Sequence, residues 1–168
     1  MSQPRVRLFF ASWPPLELAH ALSGWAREVQ RGCGGRATRE NLIHLTLAFL
    51  GDADPAAAIA TARAVRAGAT SFRLEIAHYW KHNHIVWVGP QEVPRELAAL
   101  ARALGEAREF AAHITLVRKA RGPGRLPPLP ALEWPVTEFA LMNSRLEPEG
   151  PVYEVLERFA LSPAAPAP

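Results

Sequence analysis

A four-residue pattern, His followed by an aliphatic residue, Thr and Leu, occurs twice in this chain, at residues 44–47 and 113–116. Both copies lie in short apolar stretches of the kind that form β-strands. Because side chains alternate between the two faces of a strand, the His and Thr of each copy share one face and the aliphatic residues share the other. Two such strands facing each other across a cleft would bring two imidazoles and two hydroxyls together.

The four polar side chains of the repeated pattern, His44, Thr46, His113 and Thr115, suit acid–base chemistry. An imidazole with its ordinary pKa of ~6.5 can give or take a proton near neutral pH. A threonine hydroxyl can donate a hydrogen bond to an oxygen that gains negative charge. The pattern therefore predicts an active site with a proton donor, a proton acceptor and two neutral donors. The alternative interpretation of either copy alone is a half-exposed strand face without a chemical role.

The order of predicted elements favours an α+β fold with antiparallel sheets, because hairpins outnumber β-α-β units. Helices are expected near residues 16–31, 55–68 and 94–104, each starting close to a proline. Strands are expected near residues 6–13, 41–50, 72–79, 85–88, 113–118, 134–146 and 152–161. Two copies of one motif, about seventy residues apart, suggest two related lobes that each give one motif strand to a shared cleft.

Length and composition restrict the class of protein. A chain of 168 residues is expected to form one domain. No apolar run approaches the ~20 residues that cross a bilayer, and the first residues lack the pattern of a signal peptide, so we expect a cytoplasmic location. A single cysteine, Cys33, excludes an internal disulfide. The net charge is +3 and Arg dominates the cations, which suits phosphate binding but equally fits the composition of a GC-rich genome.

The paired motif, together with the stretches at 7–11, 45–51 and 144–153, resembles the 2H phosphoesterase superfamily. Within it, the chain is similar to the RNA 2′,3′-cyclic phosphodiesterase branch, also called 2′-5′ RNA ligase-like. The resemblance implies a bilobal domain over residues 1–162, with two antiparallel sheets facing a central cleft and helices on the outside. Residues 163–168 are expected to form a disordered tail.

The same resemblance implies hydrolysis of an RNA-terminal 2′,3′-cyclic phosphate to a 2′-phosphate, with no metal and no cofactor. The expected partner is RNA or an oligonucleotide with that end, and the expected enzyme is a monomer that does not contact membranes. In this branch His44 would be the proton donor, His113 the proton acceptor, and Thr46 and Thr115 would bind the phosphate. The residues alone leave the order of the two histidines open, since the motifs are nearly symmetric.

Arg118, three residues after the second motif Thr, would contact the substrate if the resemblance holds. Strict alternation puts Arg118 on the face opposite His113, so a bulge or the length of the side chain must bring it round. The alternative is that Arg118, Lys119 and Arg121 are a solvated run of charge.

Aromatic residues near the motifs are candidates for stacking on the terminal base: Phe9, Phe10 and Tyr153. Three histidines between residues 78 and 84 surround a predicted hairpin turn. They either decorate that turn or hold a metal ion.

Three functions follow from these observations. The leading hypothesis is an RNA 2′,3′-cyclic phosphodiesterase. The second keeps the chemistry but acts on another cyclic or 2′-5′ linked nucleotide, including the reverse ligation. The third is a non-catalytic RNA-binding module, against which the complete His and Thr pairs of both copies argue.

Overall fold

The structure is a computed structural model that describes residues 7–163. Within them the chain forms three α-helices, α1 (Leu16–Cys33), α2 (Pro55–Ala64) and α3 (Arg95–Ala103). Ten strands accompany them: β1 (Arg7–Ser12), β2 (Arg36–Ala37), β3 (Leu45–Asp52), β4 (Thr70–Leu74), β5 (Ile76–Trp80), β6 (Ile85–Gly89), β7 (Ile114–Arg118), β8 (Leu132–Val136), β9 (Glu138–Glu147) and β10 (Gly150–Ala160). A short 3₁₀ turn, Glu40–Leu42, leads into β3.

Two four-stranded sheets carry one motif strand each. The first sheet has the order β10-β9-β1-β3 and the second has the order β2-β7-β6-β5. Strands β4 and β8 form a separate two-stranded ribbon. Neighbouring strands in all three sheets run antiparallel. The predicted α+β class with antiparallel sheets is thus confirmed, and the ribbon is an addition to it.

Two predicted strands were wrong in extent, because each is divided between two sheets. The stretch 72–79 stops at Leu74, which ends β4, and resumes at Ile76 in β5. At the break, the Glu75 N–H donates to the carbonyl oxygen of Gly89, 2.9 Å away. The stretch 134–146 breaks in the same way at Thr137, between β8 and β9. An apolar pattern reports burial and not the identity of the partner strand, so it gave no sign of either change.

The helices follow their apolar periodicity. Leu22, Ala26 and Val29 of α1 are buried, as the 3.6-residue spacing predicts. Helix α2 begins at Pro55, where the side chain of Asp54 accepts hydrogen bonds from two backbone N–H groups of the first turn. It ends at Ala64, earlier than expected. Within residues 7–163 no helix is both long and apolar enough to span a membrane.

Strand β1 separates the main core from the cleft. Leu8 and Phe10 are fully buried in the main core, and the alternate residues Phe9 and Ala11 belong to a small cluster on the opposite face. The first motif strand, β3, pairs with β1 on one side of this layer. Most of the predicted tail, residues 164–168, lies outside the described residues, as do the first six residues.

Candidate active site

The two motif strands meet at one cavity of about 420 Å³, a size typical of small-molecule sites. His44, Thr46, His113 and Thr115 all line it. Each histidine lies one residue before its strand, which begins at the next position. The aliphatic residues of both motifs are buried on the other face. The alternation inferred from the sequence therefore brings the four polar side chains together.

The ring of His44 is held at both nitrogens. Nδ1 lies 2.7 Å from the carbonyl oxygen of Leu42, and a carbonyl can only accept, so Nδ1 carries a proton. In the neutral ring Nε2 then accepts from the Thr46 hydroxyl, 3.1 Å away. Burial lowers the pKa of His44 to about 4, opposed by the hydrogen bond to Leu42 and assisted by the positive charges of Arg118 and His113.

His113 repeats this local geometry. Its Nδ1 lies 2.9 Å from the carbonyl oxygen of Ala111, again two residues earlier in the chain. The bond fixes the proton on Nδ1 and leaves Nε2 as the acceptor of the neutral ring. Burial lowers the pKa of His113; the bond to Ala111 opposes this, and the charge of Arg118 adds to it. The duplication of the motif thus extends to the hydrogen bond from Nδ1 to a backbone carbonyl two residues earlier in the chain.

Aromatic rings enclose both histidines. The centroid of His44 lies 5.1 Å from Trp13, 5.4 Å from Phe9 and 5.4 Å from Tyr153. This apolar surround is the physical reason for the lowered pKa of His44. Trp13 was missed by sequence reasoning, although it continues the alternation that places Phe9 on the cleft side of β1.

The second histidine has its own aromatic neighbours. His113 lies 4.7 Å from the ring of Trp80 and 6.2 Å from Trp87. Both tryptophans belong to the hairpin of β5 and β6, which pairs with the second motif strand. Sequence reasoning had no signal for this contact, because it depends on which hairpin joins β7.

A β-bulge resolves the position of Arg118. Val117 pairs with Val86, whereas Thr115 pairs with the very next residue of β6, so Leu116 has no direct partner. Leu116 and Val117 are both fully buried, and the side chain after them returns to the cleft face. Arg118 consequently lines the cavity. Strict alternation would have placed it on the face opposite His113, and the bulge brings it back to the same face.

The predicted stacking aromatics separate into two groups. Phe10 was a wrong prediction: it is fully buried on the core side of β1, in edge contact with Phe139 and Phe159. The alternation of β1 turns its ring away from the cleft. Tyr153 lines the cavity. Phe9 faces the same side but is only 4% exposed, and it packs beneath Tyr153 rather than on an open surface.

The three histidines of the hairpin take separate partners. His78 and His82 pack against neighbouring tryptophans, and His84 Nδ1 lies 2.7 Å from Tyr79 Oη. In the described part of the chain, no group of three or more His, Cys, Asp or Glu side chains is arranged to share a metal ion. The geometry therefore gives the metal alternative no support.

Two further arginines line the same cavity, and sequence reasoning missed both. Arg36 belongs to the short edge strand β2, and Arg39 precedes the 3₁₀ turn before the first motif. The turn after β9 and the first two residues of β10, residues 148–151 together, form another wall that includes Glu149. The sequence offered no signal for Arg36, because β2 is only two residues long.

Comparison with known proteins identifies the family of the chain. Residues 14–147 match the family described as the 2′-5′ RNA ligase superfamily. The RNA 2′,3′-cyclic phosphodiesterase of Escherichia coli (strain K12) is 34% identical, over 96% of this chain and 99% of that protein. The Thermus thermophilus protein of the same name is 35% identical, over 93% of this chain and 90% of its own length.

Solved structures show the same fold. E. coli LigT complexed with 3′-AMP has a TM-score of 0.85 at 32% identity, covering 93% of this chain and 98% of that one. LigT complexed with ATP has a TM-score of 0.85 at 34% identity, covering 96% and 99%. From the family match and these relatives, the chain belongs to the 2′-5′ RNA ligase superfamily of 2H phosphoesterases.

Proposed function

We propose that this protein is an RNA 2′,3′-cyclic phosphodiesterase, which hydrolyses the terminal cyclic phosphate to a 2′-phosphate. The observation that carries the proposal is the convergence of His44, Thr46, His113 and Thr115 on one cavity. The E. coli and T. thermophilus relatives bear this name, and the structural neighbour E. coli LigT has been crystallised with the nucleotides 3′-AMP and ATP.

In the proposed reaction a water oxygen attacks the phosphorus in line with the ribose O3′. The new bond joins that oxygen to phosphorus, and the bond between phosphorus and O3′ breaks. His113 Nε2 takes the proton from water, and His44 Nε2 gives a proton to O3′. In each ring the other nitrogen is engaged by a backbone carbonyl, so one nitrogen faces the chemistry. Two such groups each contribute about 10²–10⁴-fold.

The proton on His44 depends on the substrate in this scheme. With a pKa of about 4, the ring is neutral in the free protein near pH 7. A phosphate anion placed beside it favours the charged ring and raises that pKa. Protonation of Nε2 also ends the bond it accepts from the Thr46 hydroxyl, which frees that hydroxyl to donate to the phosphate.

The remaining polar groups would stabilise the charge on the phosphate. The hydroxyls of Thr46 and Thr115 donate to the non-bridging oxygens, where negative charge gathers in the transition state. Arg118 adds a fixed positive charge with two parallel donors. Tyr153, at the cavity wall, is left as the candidate for contact with the terminal base. A monomeric enzyme in the cytoplasm stays the prediction from the sequence.

The test is product analysis with a defined oligonucleotide that ends in a 2′,3′-cyclic phosphate. In ¹⁸O-labelled water we expect one labelled oxygen in the product and a phosphate on the 2′ oxygen, read by mass spectrometry and by comparison with synthetic standards. The His44→Ala, His113→Ala double variant is the matched control. A 3′-phosphate product would contradict the assignment of the leaving oxygen, and tight binding without turnover would favour the RNA-binding module.

A further inference from the structure

The cavity carries more positive charge than its reacting phosphate needs. Three arginines, Arg36, Arg39 and Arg118, and one carboxylate, Glu149, line it, so its fixed charge is about +2, whereas a cyclic phosphodiester bears a single negative charge. Arg118 lies beside both motif histidines, because the bulge in β7 turns its side chain to the cavity that they line. Within residues 7–163 none of the three arginines forms an ion pair. Two exposed guanidiniums therefore remain without an anionic partner.

Arg36 is held directly opposite Arg118 on the neighbouring strand. Like charges in this position destabilise a sheet. The pairing is nevertheless fixed by Thr38, whose N–H donates to the carbonyl oxygen of Leu116 at 2.8 Å and whose hydroxyl donates to that of Thr115 at 3.0 Å. The fold thus maintains an unfavourable pair of cations at the mouth of the site, which an anion bound there would relieve.

Gly35 permits this close approach. Its φ is +82°, and a Cβ at this position would lie 2.5 Å from the carbonyl oxygen of Arg118 and 2.9 Å from the Ala120 nitrogen. Across from it, Lys119 adopts a left-handed conformation with φ of 56°, which is uncommon for a residue other than glycine. A glycine and a strained lysine therefore lie where the chain brings Arg36 against Arg118.

We propose that Arg36 and Arg39 form a second phosphate subsite, which binds the phosphate on the 5′ oxygen of the terminal nucleoside. The inference rests on the proposed function and deepens it. At an RNA end, the 5′ oxygen carries the phosphate nearest to the cyclic one. Strand β2 lies at the sheet edge, one strand spacing (~4.8 Å) outside Arg118, and its Arg36, together with Arg39 two residues after the strand, lines the same cavity beside the reacting phosphate. The substrate class is then an oligonucleotide rather than a cyclic mononucleotide.

The experiment compares two dinucleotides that end in the same 2′,3′-cyclic phosphate. One has an ordinary phosphodiester between its nucleosides, and the other has a neutral methylphosphonate there. For the wild-type protein we expect kcat/KM to favour the charged linkage about tenfold or more, because hydrogen bonds between charged groups are the strong ones. Arg36→Ala and Arg39→Ala should each bring that ratio towards one, and Arg36→Lys should keep part of it.

The control variant is Arg27→Ala, on the exposed face of α1, which should keep the wild-type ratio. Equal kcat/KM values for the two dinucleotides in the wild type would overturn the subsite. An unchanged ratio of these two kcat/KM values in both Arg36→Ala and Arg39→Ala would also overturn it. A cyclic mononucleotide with a 5′-monophosphate is the third substrate. If kcat/KM for this mononucleotide exceeds that for the dinucleotide with the ordinary phosphodiester, the assignment of the substrate as an oligonucleotide is overturned.

Failure of the proposed function would look different. If the wild type turns over none of the cyclic substrates, the phosphodiesterase proposal fails, and the subsite is tested by titration calorimetry. The ligands are then the same two dinucleotides with a 2′-phosphate end. The subsite is supported if the wild type binds the dinucleotide with the charged linkage more tightly and Arg36→Ala does not. Equal affinities of the wild type for the two dinucleotides would overturn it.

Discussion

His44 Nε2 and Thr46 Oγ1 lie 3.1 Å apart on one face of the first motif strand. The backbone carbonyl at Nδ1 makes the neutral ring the acceptor of this bond, so the histidine and the hydroxyl that would serve the phosphate are engaged with each other in the free protein. Binding of an anion and protonation of His44 would exchange that bond for contacts to the substrate.

The motif threonines should act mainly on turnover. Thr46→Ala and Thr115→Ala each remove one donor to the phosphoryl oxygens, and donors of this kind are worth ~2.7–4 kcal/mol. We expect kcat/KM on a cyclic mononucleotide to fall by about 10²–10³-fold. Thr→Ser at each position is the matched control, which keeps the hydroxyl and should keep most of the activity. If an alanine variant has the same kcat/KM as the wild type, the threonine it replaces does not contact the phosphate.

Arg118 should act on substrate binding. Arg118→Ala removes a fixed charge from the cavity, so KM should rise, and the slope of binding against log salt for an oligonucleotide should flatten by ~0.7. The pKa of His113 should also rise, because the charge of Arg118 lowers it. Exposed Lys119, the next residue, provides the control as Lys119→Ala. An unchanged KM in Arg118→Ala would favour the alternative, in which Arg118, Lys119 and Arg121 are a solvated run of charge without a role in binding.

The enclosed His44 should make stability depend on pH. Its pKa is about 4 in the folded chain and ~6.5 when unfolded, so between these values the unfolded chain binds a proton that the folded chain does not. The free energy of unfolding should therefore fall as pH falls from about 6.5 towards 4. Denaturant titrations measure the free energy of unfolding at pH 7.5 and at pH 5. The difference between these two free energies should be smaller for His44→Gln than for the wild type. The exposed-residue variant His78→Gln should behave as the wild type, and an equal difference in His44→Gln would show that the ring is not desolvated.

The reaction should not need a metal ion. The motif side chains are two imidazoles and two hydroxyls, which serve proton transfer and hydrogen bonding rather than forming a closed ligand set. Dialysis against a chelator should leave kcat/KM on the cyclic substrate unchanged. Loss of activity that only a divalent ion restores would contradict this prediction.

The sequence predicted the parts of the site that depend on neighbours in the chain. His44 and Thr46 share a face because of strand alternation, and the same rule excludes Phe10 from the cleft, although it was proposed as a stacking residue. What could not be predicted depends on pairing between distant segments. The contact of Trp80 with His113 requires the β5–β6 hairpin to join β7, and the place of Arg36 requires β2 to add to the sheet edge.

The central claim is that His44 gives a proton while His113 takes one, and a pH–rate profile tests it most directly. For the wild type, kcat/KM on a cyclic mononucleotide should be bell-shaped, with limbs that belong to the coupled pair. His113→Ala should lose the acidic limb and fall as pH rises, because the rate then follows only the protonated fraction of His44. His44→Ala should lose the basic limb.

In each single variant kcat/KM should fall by several orders of magnitude. In the double variant it should fall little further, since the effects of residues that act as a unit are not additive. The decisive measurement is therefore kcat/KM against pH for the wild type, His44→Ala and His113→Ala. We predict the loss of opposite limbs in the two variants. Exchanged limbs would reverse the two roles, and near-normal activity in either single variant would contradict the two-histidine mechanism.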